Sequence, residues 1–379
     1  MKRRAVGRRQ TMRAGKKGGV RTRTAGLALF LSLLLSGFVP APLPASGNPP
    51  GQATEKDSIP IGLLLPDRQR TDLIRAARLA VEQANQAGGY RNRPFSLVVR
   101  SCEGPWGAGS KESVRLVYDD QVIAYLGALD GRNAHLAEQV AAKSHLLYLE
   151  TRSSDPTLSQ AYVPWFMRLV PSDIQQAERI ASEIHATGNG RIAILTRSDY
   201  DTEHAVKEVV RALAGAGKPV LELPIERLRG EAALQEEIRN RDLRHLILPF
   251  HDPNLADWLP GLRRTFPTLH IYLTLGFDLG LPAVPGPADP TGIHRLLPPS
   301  SSAEWEAFDR EFEKRFGISP PPAALYVFDG MNLVVRGVRV AGTDRLRVSD
   351  HILHHTHRGF ATGTICFDDL GNRVDPCDP

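Results

Sequence analysis

The chain has 379 residues, 42% hydrophobic and 23% charged, a globular composition with more length than one ordinary core needs, so two domains are expected. Its formal net charge of +5 belongs to the leader: residues 1–45 carry ten Lys/Arg and no Asp/Glu, and without them the balance is −5. The high pI therefore makes no case for nucleic-acid binding by the folded part.

The leader reads as a secretory signal. A basic segment from Lys2 to Arg23 precedes a 15-residue apolar run, Ala25 to Val39, and then the small-residue stretch PAPLPASG. The run is shorter than the roughly 20 apolar residues a spanning helix needs. Residues 1–45 are expected to be a signal peptide cleaved near Ala45, with 46–57 a flexible linker. No Cys follows the apolar run, which argues against a lipid anchor. Arg8-Arg9 lies far from the run for a twin-arginine signal, and Met12 is an alternative start.

From Ile59 onward, short apolar runs alternate with amphipathic ones. IPIGLLLP (59–66) predicts a buried strand. The helix over 71–89 places Leu73, Ala76, Ala77, Ala80, Val81 and Ala84 on one face and stops at Gly88-Gly89. A strand at 95–102, a helix at 110–120, a strand at 122–129, a helix at about 132–144 and a strand at 145–150 follow. A second block has helices at 172–188, about 202–216, 231–241 and 254–265. Its strands are 191–197, 219–225, 245–250 and 269–275. This alternation predicts parallel sheets with helices on both faces. The last part differs, with helices at 302–317, 323–342 and 348–357, then a strand and turn in GTICFDDLGN (363–372).

Two knots of polar residues stand at strand tips, Asp130-Gly131-Arg132-Asn133 and Thr151-Arg152-Ser153-Ser154-Asp155. In open parallel sheets, ligands bind beyond the carboxyl ends of strands, where helix N-termini present free N–H groups. Either Asp130 and Asn133 only cap the helix, or they cap it and also touch a ligand.

Other groupings carry less. His351, His354 and His355 share a helix face, and with His357 they read as a solvated surface rather than a metal site. DDLGNRVD lacks calcium-loop spacing. GAGSKES (107–113) lacks the glycine spacing and ending of a phosphate loop. No nucleophile elbow or dinucleotide fingerprint occurs, so neither an enzyme nor a cofactor is expected. Trp305, Phe308, Phe312 and Phe316 step along a helix as core, and 280–292 reads as a Pro/Gly-rich loop. Of three cysteines, Cys366 and Cys377 flank a turn-rich stretch; they are either bridged or free, and Cys102 stands alone.

Taken together, IPIGLLLP, AVEQANQAGGYRNRPFSLVV, VYDDQVIAYLGALDGRNA, HLLYLETRSSDPTLS, RIAILTRSDYDTEHA, HLILPFHDPNLADWL and GFATGTICFDDLGN resemble the type I periplasmic binding proteins. The likeness is to the branched-chain amino acid-binding group of ABC transporters and covers about 58–372. It implies an α/β fold of two doubly wound parallel-sheet lobes joined by a multi-crossing hinge. Lobe 1 would be 58–171 and 299–357, and lobe 2 would be 172–298 and 358–379. It further implies a monomer in the periplasm that binds a small solute in the interlobe cleft and partners an ABC permease. A sensory or accessory protein of the same fold is the alternative.

Carried over singly, the family's ligand contacts fall on Asp130, Gly131, Arg132 and Asn133; on Arg152, Ser153 and Ser154, whose backbone and hydroxyls would hold a carboxylate; and on Tyr200 and His251. The acid that neutralises an amino group would fall near Gly276, with Asp278 two residues on. The chain departs from the pattern at PDRQRTD, with Arg68 after the first strand, at Arg152, and at Trp106 near the rim. The Arg68, Arg132 and Arg152 cluster suits an anionic, carboxylate-bearing solute.

Overall fold

The computed structural model describes residues 58–105, 107–281, 292–296, 303–360 and 362–374. The expected signal peptide and linker, Trp106 and Cys377 lie outside them. The first sheet is built from β1 (Ile59–Leu65), β2 (Phe95–Ser101), β3 (Tyr125–Gly127), β4 (Tyr148–Glu150) and β5 (Phe166–Arg168). Between them run α1 (Thr71–Gln86), α2 (Ala108–Tyr118), α3 (Gly131–Ser144) and the short α4 (Thr157–Gln160). All pairings are parallel, in the order β2-β1-β3-β4-β5. β1 is almost wholly buried because it lies inside the sheet under helices on both faces, which is why it reads as an unbroken apolar run.

The second half continues with α5 (Asp173–Thr187), β6 (Arg191–Thr196), α6 (Tyr200–Gly215), β7 (Val220–Pro224), α7 (Glu231–Asn240), β8 (Leu243–Leu248), α8 (Pro253–Thr265), β9 (His270–Leu273), α9 (Leu275–Asp278) and β10 (Ile293–Arg295). Its parallel sheet runs β10-β9-β8-β6-β7. Read from the β2 and β7 edges, both sheets have the order 2-1-3-4-5, so each has a switch point where strand order reverses: β1/β3 and β6/β8. These are two doubly wound parallel-sheet lobes, as the family resemblance implied.

α10 (Ala303–Phe316), α11 (Pro322–Ala341) and α12 (Arg345–His354) return to the first sheet. The apolar face of α11 packs on α1 and under β3. Phe308 packs at a tilt on Phe328, with centroids 4.4 Å apart, placing the aromatic stripe in the core. The expected third late helix ends earlier than its sequence suggests. His357 belongs instead to β11 (His357–Arg358), antiparallel to β12 (Thr364–Ile365), and its buried ring bonds the Ile352 carbonyl. The following segment pairs with β5: Arg168 N donates to the Gly371 carbonyl at 2.9 Å, and Gln175 Nε2 donates to the Arg373 carbonyl at 2.7 Å. Residues 371–373, placed with lobe 2 on sequence grounds, thus lie against the first sheet's edge and α5.

Besides β11, two strands escaped the sequence reading, β5 (FMR) and β10 (IHR). Each is three residues with an arginine, too short and too polar to show periodicity. Arg168 is fully buried, and its guanidinium bonds Asn372 Oδ1 at 3.0 Å, the Asp155 carbonyl at 2.7 Å and Ser159 Oγ. Among the described residues no helix is long and apolar enough to cross a membrane. Among the same residues, no group of three or more His, Cys, Asp or Glu is arranged to hold a metal ion. Cys366 is disulfide-bonded and Cys102 is free.

Candidate functional site

Strand tips from both sheets enclose a cavity of about 200 Å³. The first lobe supplies Leu129 after β3, and Arg152, Ser153 and Ser154 after β4. Asp173 at the start of α5 closes one side. The second lobe supplies Arg197, Asp199, Asp201 and Thr202 between β6 and α6, Phe250 and His251 after β8, and Thr274 and Gly276 after β9. Both helix starts are well formed: Asp130 caps α3 by accepting from Asn133 N, and Asp199 caps α6 by accepting from Thr202 N, each at 3.0 Å. The strand-to-helix turns so built aim their tips at one another.

Of the residues expected on sequence grounds, Arg152, Ser153, Ser154 and His251 line this cavity. The Arg152 guanidinium makes no hydrogen bond or ion pair among the described residues. Asp173 N donates to the Ser154 carbonyl at 2.8 Å, and burial pushes the Asp173 carboxyl up to about 8. Burial likewise lowers the His251 pKa, favouring a neutral imidazole. Arg197 pairs with Asp199 at 2.6 Å and lies 4.4 Å over the Phe250 ring.

The backbone at the β4 tip is not disposed as expected. Arg152 N and Ser153 N do not face the cavity as a carboxylate cradle. They donate, at 2.8 and 3.0 Å, to Oε1 of the buried Glu150, which also accepts from Leu129 N and Thr151 N at 3.2 and 3.1 Å. Oε2 accepts from Tyr148 Oη. The chain fills its own donor ring from beneath. Burial pushes the Glu150 carboxyl up, while these five donors pull it back toward the ionised form. Gly127 leaves the room required: a Cβ there would come within 2.5 Å of both Glu150 Oε2 and Tyr148 Oη.

Asp130, Gly131, Arg132, Asn133 and Tyr200 meet one another rather than an open gap. Asp130 and Asn133 bond each other through their side chains at 2.7 Å, the capping reading. Gly131 N donates across the cleft to Asp201 Oδ1 at 2.9 Å. Tyr200 Oη donates to Asp155 Oδ2 at 2.9 Å, and Arg132 lies 5.2 Å over the Tyr200 ring. Asp155 is almost wholly buried and also meets His135 Nε2 at 3.2 Å and Thr157 Oγ1 at 2.7 Å. Although burial opposes ionisation, hydrogen bonds from His135, Thr157 and Tyr200 hold Asp155 well below the usual carboxylate range. In return, bonds to Asp155 and Glu138 raise His135 to about 9.

Two expected residues lie apart. Arg68 is exposed and pairs loosely with Glu103 at 3.6 Å. Asp278 is fully buried beneath the cleft and bonded to Arg295 at 2.7 Å, and burial raises its pKa to about 7. It is therefore not presented to a solute's amino group, whereas Gly276 lines the cavity. Sequence reading missed Asp173, Arg197, Asp199, Asp201 and Thr202. The helix-start signal Asp199-x-x-Thr202 was the one available hint, since cap residues here double as cavity wall.

The periplasmic binding protein family profile matches residues 59–222. Several solved structures share the fold. One is an ABC transporter substrate-binding protein from Desulfitobacterium hafniense in complex with Leu, 17% identical, covering 84% of this chain and 95% of its own, with TM-score 0.68. Another is the branched-chain amino acid transporter substrate-binding protein LivJ from Streptococcus pneumoniae in complex with isoleucine (17% identity, 84% and 94% coverage, TM-score 0.65). A third is an ABC transporter solute-binding protein from R. palustris in complex with benzoate (16%, 84% and 91%, TM-score 0.66). No curated protein sequence matches the chain.

Proposed function

Because this chain has the type I periplasmic binding protein fold, we propose that it is a periplasmic solute-binding protein of an ABC transporter. It closes on a small polar, carboxylate-bearing solute in the cavity between its strand tips. The observation that carries this reading is Arg152, whose guanidinium has no partner among the described residues and stands in the wall of a cavity of about 200 Å³ to which both lobes contribute. That volume lies below the roughly 300–1,000 Å³ of pockets for drug-sized ligands, so the solute is small. Guanidinium forks match carboxylates in two-pronged contacts. The three relatives named above hold leucine, isoleucine and benzoate, which share a carboxylate.

The mechanism is lobe closure. A solute whose carboxylate rests on Arg152, while its other polar group meets Ser154, Thr202, Thr274 or His251, touches both lobes at once. The closed arrangement then gains contacts the open one lacks. A membrane permease would read that closure, and no cofactor or turnover is involved.

A thermal-shift screen of amino acids, short carboxylates and amides tests the proposal. A true solute stabilises by mass action, by about 2.7 kcal/mol at a hundred times its Kd. We expect a carboxylate to raise the Tm, Arg152→Ala to abolish the response, and Arg152→Lys to retain part of it. A screen in which no carboxylate acts, or in which Arg152→Ala responds like wild type, refutes the carboxylate reading. Loss of solute uptake in cells lacking the protein would support coupling to import; unchanged uptake would favour the sensory alternative.

A further inference from the structure

Two carboxylates of the chain occupy backbone donors at the strand tips of the first lobe. Glu150 fills the ring at the β4 tip. Asp201, reaching over from the second lobe, sits on Gly131 N at the start of α3. The approach depends on glycine, because a Cβ at Gly131 would come within 2.9 Å of Asp201 Oδ1 and 2.8 Å of Tyr200 Cε1. Asp201 stands in the first turn of α6, whose positive end favours its charge; burial raises its pKa, against the pull of the Gly131 N–H and of the Arg152 charge across the cavity.

We infer that Asp201 determines specificity: it reserves the α3 end of the cleft for the chain's own carboxylate, so the solute brings one carboxylate, to Arg152, and no second. This rests on the reading of the cavity as a carboxylate-binding solute site and names the solute class more narrowly. The charge inventory supports it. The cavity wall carries Arg152 and Arg197 against Asp199 and Asp201, with Asp173 buried and its carboxyl pushed up to about 8 by that burial. Arg197 is already committed to Asp199, so Arg152 is the one uncommitted cation among the wall residues. In so small a space a second solute carboxylate would stand beside Asp201 or Asp199. At a separation of about 5 Å and an effective dielectric near 20, that repulsion weakens binding on the order of 100-fold.

The test compares matched probes, butyrate with succinate, valerate with glutarate, and alanine with aspartate, by calorimetric titration of the full chain. Wild type is expected to bind the monocarboxylate of at least one pair about 100-fold tighter than its dicarboxylate partner. Asp201→Asn, and Asp201→Ser should Asn perturb the fold by circular dichroism, is expected to erase or invert that preference while Arg152→Ala loses both members. Equal binding of the two members by wild type overturns the inference. So does a preference unchanged in both Asp201 variants while wild type still binds the monocarboxylate; the solute-site reading then survives. Binding of neither member of any pair overturns the carboxylate reading itself, and this inference with it.

Discussion

Replacing Gly131 by alanine separates the stability of the first lobe from the fit of the two lobes. Gly131 is the first residue of α3, and its backbone is not in the left-handed region, so alanine is conformationally allowed. In a helix interior the exchange is worth about 0.5–1 kcal/mol in alanine's favour, and less at this terminal position. Across the cleft the new methyl would come within 2.8 Å of Tyr200, 2.9 Å of Asp201 and 3.1 Å of Asp155. Relief comes by turning the Asp201 and Tyr200 side chains away or by withdrawing α6, and either route breaks the Gly131–Asp201 or the Tyr200–Asp155 bond. Hydrogen bonds to charged groups contribute about 1.5–3 kcal/mol each. Even one such loss lowers the closed population relative to the open one by a factor of about 10–100. Small-angle scattering is therefore expected to report a larger radius of gyration for Gly131→Ala at nearly unchanged Tm. The apparent affinity for solute should fall by the same factor as the closed population. A scattering profile identical to wild type, combined with additive effects of Gly131→Ala and Asp201→Ala, would refute the reasoning.

Further outcomes follow from neighbouring groups. His135 is raised from 6.5 to about 9 by bonds to Asp155 and Glu138, so its stabilisation is complete below about pH 6.5 and lost as pH rises through 9. The Tm should fall across that window in wild type and fall less in His135→Gln. Glu150→Ala would leave the backbone N–H groups of Leu129, Arg152 and Ser153 without their acceptor and should cost more than about 3 kcal/mol in urea unfolding. Glu150→Gln, which keeps an acceptor, should cost less. Arg295→Ala leaves Asp278 buried without its partner and should cost about 3–5 kcal/mol at pH 8. The loss should shrink toward pH 5, because Asp278, raised to about 7, takes up a proton there. A loss unchanged with pH would contradict that assignment.

The strands and helices that carry the fold were readable because burial on both faces demands unbroken apolar runs, as in β1, and packing on one face demands the 3–4 spacing seen in α1. β5 and β10 were not, because their arginines are satisfied by partners far along the chain: Arg168 by Asn372, 204 residues away, and Arg295 by Asp278. The strand tip carrying Arg152, Ser153 and Ser154 could be placed at the cleft from topology, and His251 from the family resemblance. Whether their backbone donors faced outward could not. Glu150 reads as the last residue of a strand, and nothing local shows that its carboxylate turns back under the following loop. Asp201 is similar: its sequence neighbours announce a helix start, while its decisive partner, Gly131, is 70 residues away. Asp278 was misplaced for the complementary reason. A short α9 turns it inward to Arg295, and residue spacing does not encode that direction.

The cover of the first sheet has a consequence for how the molecule comes into being. α1 is held by α11, where Arg339 donates to the Ala84 and Gly89 carbonyls from 255 and 250 residues further along. Contacts of such long sequence separation form slowly. Until that distant helix arrives, the leucines and alanines of α1 stay open to water and to other chains, and the opening third of the polypeptide cannot mature alone. A nascent chain would thus present a sticky, unfinished half, and truncation anywhere before about residue 340 should give aggregation rather than a smaller folded protein.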